Sequence, residues 1–135
     1  MRQRDPKHEH SLRELIELSP EDCKKQIKIP DYRQDGYVSS EVLASLIRAR
    51  FGANTGVLNA ASEELNRRVI SGVEVRIRKS KWQKLKRDNS EVIEDAVSYF
   101  WAIFLRDTQE VCNAEVRFYV YLSDRMDDFR DCLLT

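Results

Sequence analysis

The sequence predicts an all-α protein: a compact bundle of four main helices with a helical N-terminal extension. Only four Gly and three Pro occur in 135 residues, too few for the many tight turns of sandwiches and barrels. Charged residues make up 34% of the chain and apolar residues 41%, a balance that suits helices with one buried face. Apolar positions recur at steps of three and four behind helix-capping residues. The length supports one hydrophobic core. Residues 1–35 read as an extension and 36–135 as the main domain.

Ser11-Leu12-Arg13-Glu14 has capping-box spacing, and Leu12, Leu15 and Ile16 follow at helical intervals. A short first helix is expected there. Ser19-Pro20-Glu21-Asp22 opens a second, with Ser as cap, Pro where its missing donor costs nothing, and acids at the positive dipole end. Pro30 bounds it, and residues 29–36 read as a loop. The first main helix, 39–52, carries Val42, Leu43, Leu46, Ile47 and Phe51, and Gly52 to Gly56 closes it. The second, 62–86, aligns Leu65, Val69, Val73 and Ile77. Gly72 within it marks a kink or a close crossing. The third, 90–106, follows Asp88-Asn89-Ser90-Glu91 and is the most apolar, with Ile93, Val97, Phe100 and Phe104 on one face, widened by Ala96, Trp101 and Ile103. The fourth, 114–133, places Phe118, Leu122, Phe129 and Leu133 in register. Phe118 to Tyr121 alternates in a way that also suits a strand, but the chain offers no strand to pair with it.

Charge is the strongest functional signal. Nine Lys/Arg fall between residues 67 and 87 against the single acid Glu74, a local +8 in a formally neutral chain. Residues 107–135 carry seven acids against three Arg, a local −4. Such a molecule is electrically lopsided, with one end suited to a polyanion. Arg76, Arg78, Lys79, Lys81, Lys84, Lys86 and Arg87 are the candidate phosphate contacts. Trp82 lies between Arg78 and Lys86 at four-residue steps, where an indole can stack on a base while the cations hold phosphates. The plainer alternative is a solvated charged face with Trp82 packed at the edge of the core. The orientation of Trp82 separates the two.

No motif for catalysis accompanies this charge. The chain has no nucleophile with a base at motif spacing, no Gly-rich phosphate loop and no HExxH, so it reads as non-enzymatic. Cys23, Cys112 and Cys132 form an odd set without a CxxC pair and read as reduced thiols. His8-Glu9-His10 lies in a polar tail that fixes no metal geometry. Asp124, Asp127, Asp128 and Asp131 lack the glycine and alternation of a calcium loop. No cofactor, metal or small-molecule ligand is expected. The start of the chain lacks a signal-peptide core, and no uncharged run approaches the ~20 residues of a membrane span. A cytoplasmic location is expected.

The order of segments carries a resemblance. An apolar helix is followed by a basic one, then by Glu94-Asp95-Ala96-Val97 leading to Phe100-Trp101 and Phe104-Leu105, then by Phe118-Tyr119-Val120-Tyr121-Leu122. This resembles the second conserved region of bacterial sigma factors, particularly the extracytoplasmic-function kind, over about residues 36–134. The resemblance implies a diverged relative without the C-terminal helix-turn-helix domain. It also implies that Glu94, Asp95 and Ser98 face RNA polymerase, while Phe118, Tyr121 and Arg125 lie on or near the promoter-facing helix. The expectation is a sigma-like, DNA-binding transcription-associated protein of bacterial type. The alternative is a protein–protein adapter or assembly subunit whose basic helix meets an acidic protein surface, including the acidic C-terminal helix of another copy.

Overall fold

A computed structural model describes residues 3–49, 54–79, 89–107, 109 and 111–134. The described residues are all-helical, as expected: α1 (Pro6–Ile16), α2 (Pro20–Ile27), α3 (Ser40–Ala49), α4 (Thr55–Lys79), α5 (Asn89–Arg106) and α6 (Phe118–Leu134), with a 3-10 turn at Asn113–Glu115 before α6.

Local chemistry sets most boundaries. The Asp5 carboxylate accepts the Lys7 N–H at 2.8 Å and Pro6 occupies the first turn, so α1 begins before the Ser11 signal. Ser19 caps α2 as the sequence predicts, its Oγ accepting the Asp22 N–H at 3.2 Å. Ser39 caps α3 through the Val42 N–H at 3.2 Å. Asn54 accepts the Val57 N–H at 3.0 Å, which starts α4 seven residues before the expected Ser62. The expected end of that helix, at 86, lies outside the described residues. Gly36 turns the loop between α2 and α3 with φ +83, a left-handed conformation that side chains rarely adopt.

Residues 114–117 do not extend α6 to the expected start. Instead Glu115 folds back so that its carboxylate accepts the Cys112 N–H at 2.8 Å. The first donor of α6, the Phe118 N–H, is taken by Glu41 of α3 at 2.8 Å. Both bonds satisfy backbone groups that would otherwise be orphaned at a helix start.

One core joins all six helices. Leu43 and Leu46, Leu65, Val69, Val73 and Ile77, Phe100 and Phe104, and Phe118, Leu122 and Met126 are buried together. Leu12 and Leu15 of α1 and Cys23 and Ile27 of α2 belong to the same cluster, so the segment read as an extension shares the core of the main body. On α5 the buried stripe is Val92, Ala96, Phe100 and Phe104, with the expected Ile93 and Val97 only half-buried beside it. Phe100 meets Phe104, Phe118 and Tyr121 with ring centroids 5.6–5.8 Å apart, a packing that locks α5 against α6. Gly72 is a close crossing rather than a kink: a Cβ there would lie 2.9 Å from Leu122 Cδ2, and α4 continues through it.

Candidate nucleic-acid and partner interface

The fold sorts the basic residues into spent and available charge. Arg67 donates to Glu64 at 2.6 Å. Arg68 is buried, bonding Glu64 at 2.8 Å and the Val38 carbonyl at 2.8 Å while stacking 4.5 Å above the Tyr37 ring. Burial alone would push the Glu64 carboxyl up, but its bonds to Arg67 and Arg68 hold it below the ordinary carboxylate value. Arg76 bonds Ser123 and Asp127 of α6. Three of the nine cations thus have partners within the chain.

Arg78 is exposed, and Lys79 is the last residue of α4. Lys81, Trp82, Lys84, Lys86 and Arg87 lie outside the described residues, and with them the orientation of Trp82.

The promoter-facing assignment of Tyr121 needs correction. Tyr121 is only 4% exposed, packed on Phe100 at 5.8 Å and Phe104 at 6.5 Å, and burial pushes its hydroxyl pKa up. It stands three residues after the buried Phe118 and so shares the inward face of α6. It cannot stack on a base from there. Phe118 is likewise fully buried. Arg125 lies 4.9 Å over the Tyr121 ring and bonds Asp128 at 3.0 Å, a structural placement. On α6 it is Tyr119 that faces outward, 57% exposed. Beside it Val75, Leu122 and Met126 line an open groove of about 340 Å³ between α4 and α6, with Arg76 and Ser123 on its wall. Sequence reasoning missed Tyr119, although its position next to an inward Phe118 was the available signal.

Three of the four acids of α6 are also matched. Asp127 meets Arg76 and lies 3.8 Å from Arg130, Asp128 meets Arg125, and Asp131 lies 3.7 Å from Arg130. Much of the apparent negative charge of this end is therefore neutralised within the chain.

Glu94, Asp95 and Ser98 emerge together on the exposed side of α5, opposite Ala96 and Phe100. The three therefore share one exposed surface of the helix. Further along α5, Leu105 is 65% exposed beside Trp101, whose indole N–H donates to Asn66 at 2.8 Å.

The most enclosed polar cluster joins distant segments. Glu115 is fully buried and takes donors from Arg4 at 2.6 Å, Arg48 at 2.5 Å and the Cys112 N–H. Arg48 also donates to the carbonyls of Asp107 and Gln109 at 2.8 and 2.6 Å. Each of these three charged side chains, Arg4, Arg48 and Glu115, has a partner within the cluster. Among the described residues no three His, Cys, Asp or Glu side chains are grouped to hold a metal, and no helix is long and apolar enough to cross a membrane. His8 and His10 engage different partners, Glu41 at 3.5 Å and Glu14 at 2.9 Å.

Comparison with models of protein families, with curated proteins and with solved structures returns no match.

Proposed function

We propose that the chain is a non-enzymatic, sigma-like transcription-associated protein of the bacterial cytoplasm. It contacts nucleic acid through the basic end of α4 and the residues that follow, and RNA polymerase through the Glu94-Asp95-Ser98 face of α5. One observation carries the nucleic-acid reading: while Arg67, Arg68 and Arg76 are consumed by internal partners, Arg78 is exposed. It opens a stretch with six Lys/Arg and no Asp or Glu between residues 78 and 87. A concentrated run of cations releases counterions from a phosphate backbone, so its affinity falls steeply with salt.

Fluorescence anisotropy of labelled single- and double-stranded DNA and RNA, at two salt concentrations, tests this. Binding is expected to weaken with salt and to vanish when Arg78, Lys81, Lys84 and Lys86 are changed together to Glu. Binding unchanged by that reversal sinks the proposal. Absence of binding at low salt makes the adapter the leading reading, with the same basic run meeting an acidic protein surface. The pairing of Asp127, Asp128 and Asp131 with arginines of their own chain weighs against head-to-tail self-association.

A further inference from the structure

We infer that Asp127 is an internal stand-in for a phosphate: its carboxylate occupies an anion position built by Arg76 and Arg130, and nucleic acid must displace it to use Arg76. The inference rests on the nucleic-acid reading above and adds to it a competitor carried within the fold.

The geometry points there in three steps. Arg76 is the first cation of the 76–87 run, yet its guanidinium faces α6, donating one nitrogen to Ser123 Oγ and another to Asp127 Oδ1. Ser123 and Asp127 are one helical turn apart, so two oxygens are presented side by side to a planar fork of donors. That is the acceptor pattern a phosphodiester offers an arginine. The same Asp127 Oδ1 lies 3.8 Å from Arg130 Nη2, so one carboxylate is bracketed by guanidiniums from two helices.

All three charged groups are open to solvent. The side chains of Arg76, Asp127 and Arg130 are 33%, 42% and 41% exposed. Ion pairs this accessible add little to folding, whereas a full negative charge against the first cation of a phosphate-binding run acts directly on what that run can hold. The clasp also borders the groove formed by Val75, Tyr119, Leu122 and Met126, which gives a strand access to Arg76 from outside. Arg78, exposed two residues further on, remains available while Arg76 is occupied. The arrangement makes binding graded: an initial contact that includes the exposed Arg78, then exchange of Asp127 for phosphate at Arg76.

The test compares wild type, Asp127→Asn, Asp127→Asn with Arg76→Gln, and Asp124→Asn, all as full chains, by anisotropy with a fluorescein-labelled single-stranded DNA over a salt series. Asp124 is an exposed carboxylate of the same helix and controls for net charge. Asp127→Asn is expected to bind about threefold to tenfold more tightly. Its plot of log affinity against log salt should steepen by about 0.7, the increment of one added phosphate contact on a single strand. Arg76→Gln in that background should remove both changes, and Asp124→Asn should produce neither the steeper slope nor a comparable gain. Affinity and slope unchanged in Asp127→Asn, or matched by Asp124→Asn, overturn the inference. The fourfold Glu reversal at residues 78, 81, 84 and 86 separates the two claims. If it abolishes wild-type binding while Asp127→Asn does nothing, only the stand-in falls. If neither wild type nor Asp127→Asn binds at low salt, both fall.

Discussion

Replacing Glu115 by Gln tests whether the buried ionic cluster holds the bundle together. The change keeps the shape of the side chain and removes its charge. In the native protein, Oε1 accepts from Arg4 Nη2 at 2.6 Å and Nε at 3.0 Å, while Oε2 accepts from Arg48 at 2.5 Å and the Cys112 N–H at 2.8 Å. An amide has one oxygen, so its NH2 must face donors on one side. Breaking a buried pair by removing one partner costs about 3–5 kcal/mol. Glu9 lies 3.3 Å from Arg4 and Asp107 lies 3.7 Å from Arg48, so both guanidiniums keep a carboxylate nearby. That places the expected loss at the lower end, about 3 kcal/mol, or a fall in Tm of about 12 °C at about 4 °C per kcal/mol for a domain of this size.

Urea unfolding followed by circular dichroism reads the loss as a lower midpoint with an unchanged m-value. The pH dependence gives a second check. Burial alone would push the Glu115 carboxyl up, but bonds from the Cys112 N–H, Arg4, Arg48 and Ser45 outweigh it and hold its pKa below the ordinary 4.5. The stabilisation is therefore complete above the unfolded value and is lost as pH falls through the lower folded value. The gap between wild type and Glu115→Gln should be flat near neutrality and close in acid. A loss under about 1 kcal/mol, the scale of an exposed pair, or a gap that does not narrow in acid, refutes the reasoning.

Arg68→Lys should destabilise by about 2 kcal/mol in the same assay, because a lysine cannot bond Glu64, the Val38 carbonyl and Ser40 together while stacking on Tyr37; a change within 0.5 kcal/mol contradicts this. Gly72→Ala gains up to about 1 kcal/mol of helix propensity but presses on Leu122, so its stability should stay close to wild type. Gly72→Val should lose about 2 kcal/mol by overpacking, and thermal melts of the pair decide it. A thiol reagent at neutral pH should label the exposed Cys132 first. Cys23 and Cys112 are buried with their thiol pKa values pushed up by that burial, and they should react only as the protein unfolds; early labelling of Cys112 would show that its site opens locally.

What could be read from the sequence was whatever neighbouring residues decide. Ser19 and Pro20 start α2 where local chemistry requires, and the period of α5 places Phe100 and Phe104 inside. The starts of α1 and α4 were misplaced because Asp5-Pro6 and Asn54 compete with equally good signals at Ser11 and Ser62. Gly56, read as a helix end, sits in the first turn of α4, where a glycine does little harm. Glu115 was counted among the seven acids of residues 107–135, since nothing near it in sequence announces that Arg4 and Arg48 will enclose it. The candidate site shows the same divide. The shared face of Glu94, Asp95 and Ser98 follows from helical spacing alone, whereas the loss of Arg67, Arg68 and Arg76 to internal partners depends on how helices pack. A charge count along the chain measures composition, and the field a ligand meets is set after this neutralisation.

The contact between Arg4 and Glu115 spans 111 positions of the chain. Helices α2 to α5 can form and dock before those two residues meet, because closing so long a loop is slow compared with local helix formation. The Arg4–Glu115 contact is accordingly expected to form late in folding and to break early in unfolding. An interaction absent from the transition state governs the rate of opening and leaves the rate of closing nearly untouched. Arg4→Met should accordingly speed unfolding in stopped-flow experiments with little effect on refolding. That result would make the N-terminal segment a latch on lifetime, setting how long the assembled bundle persists rather than how quickly it assembles.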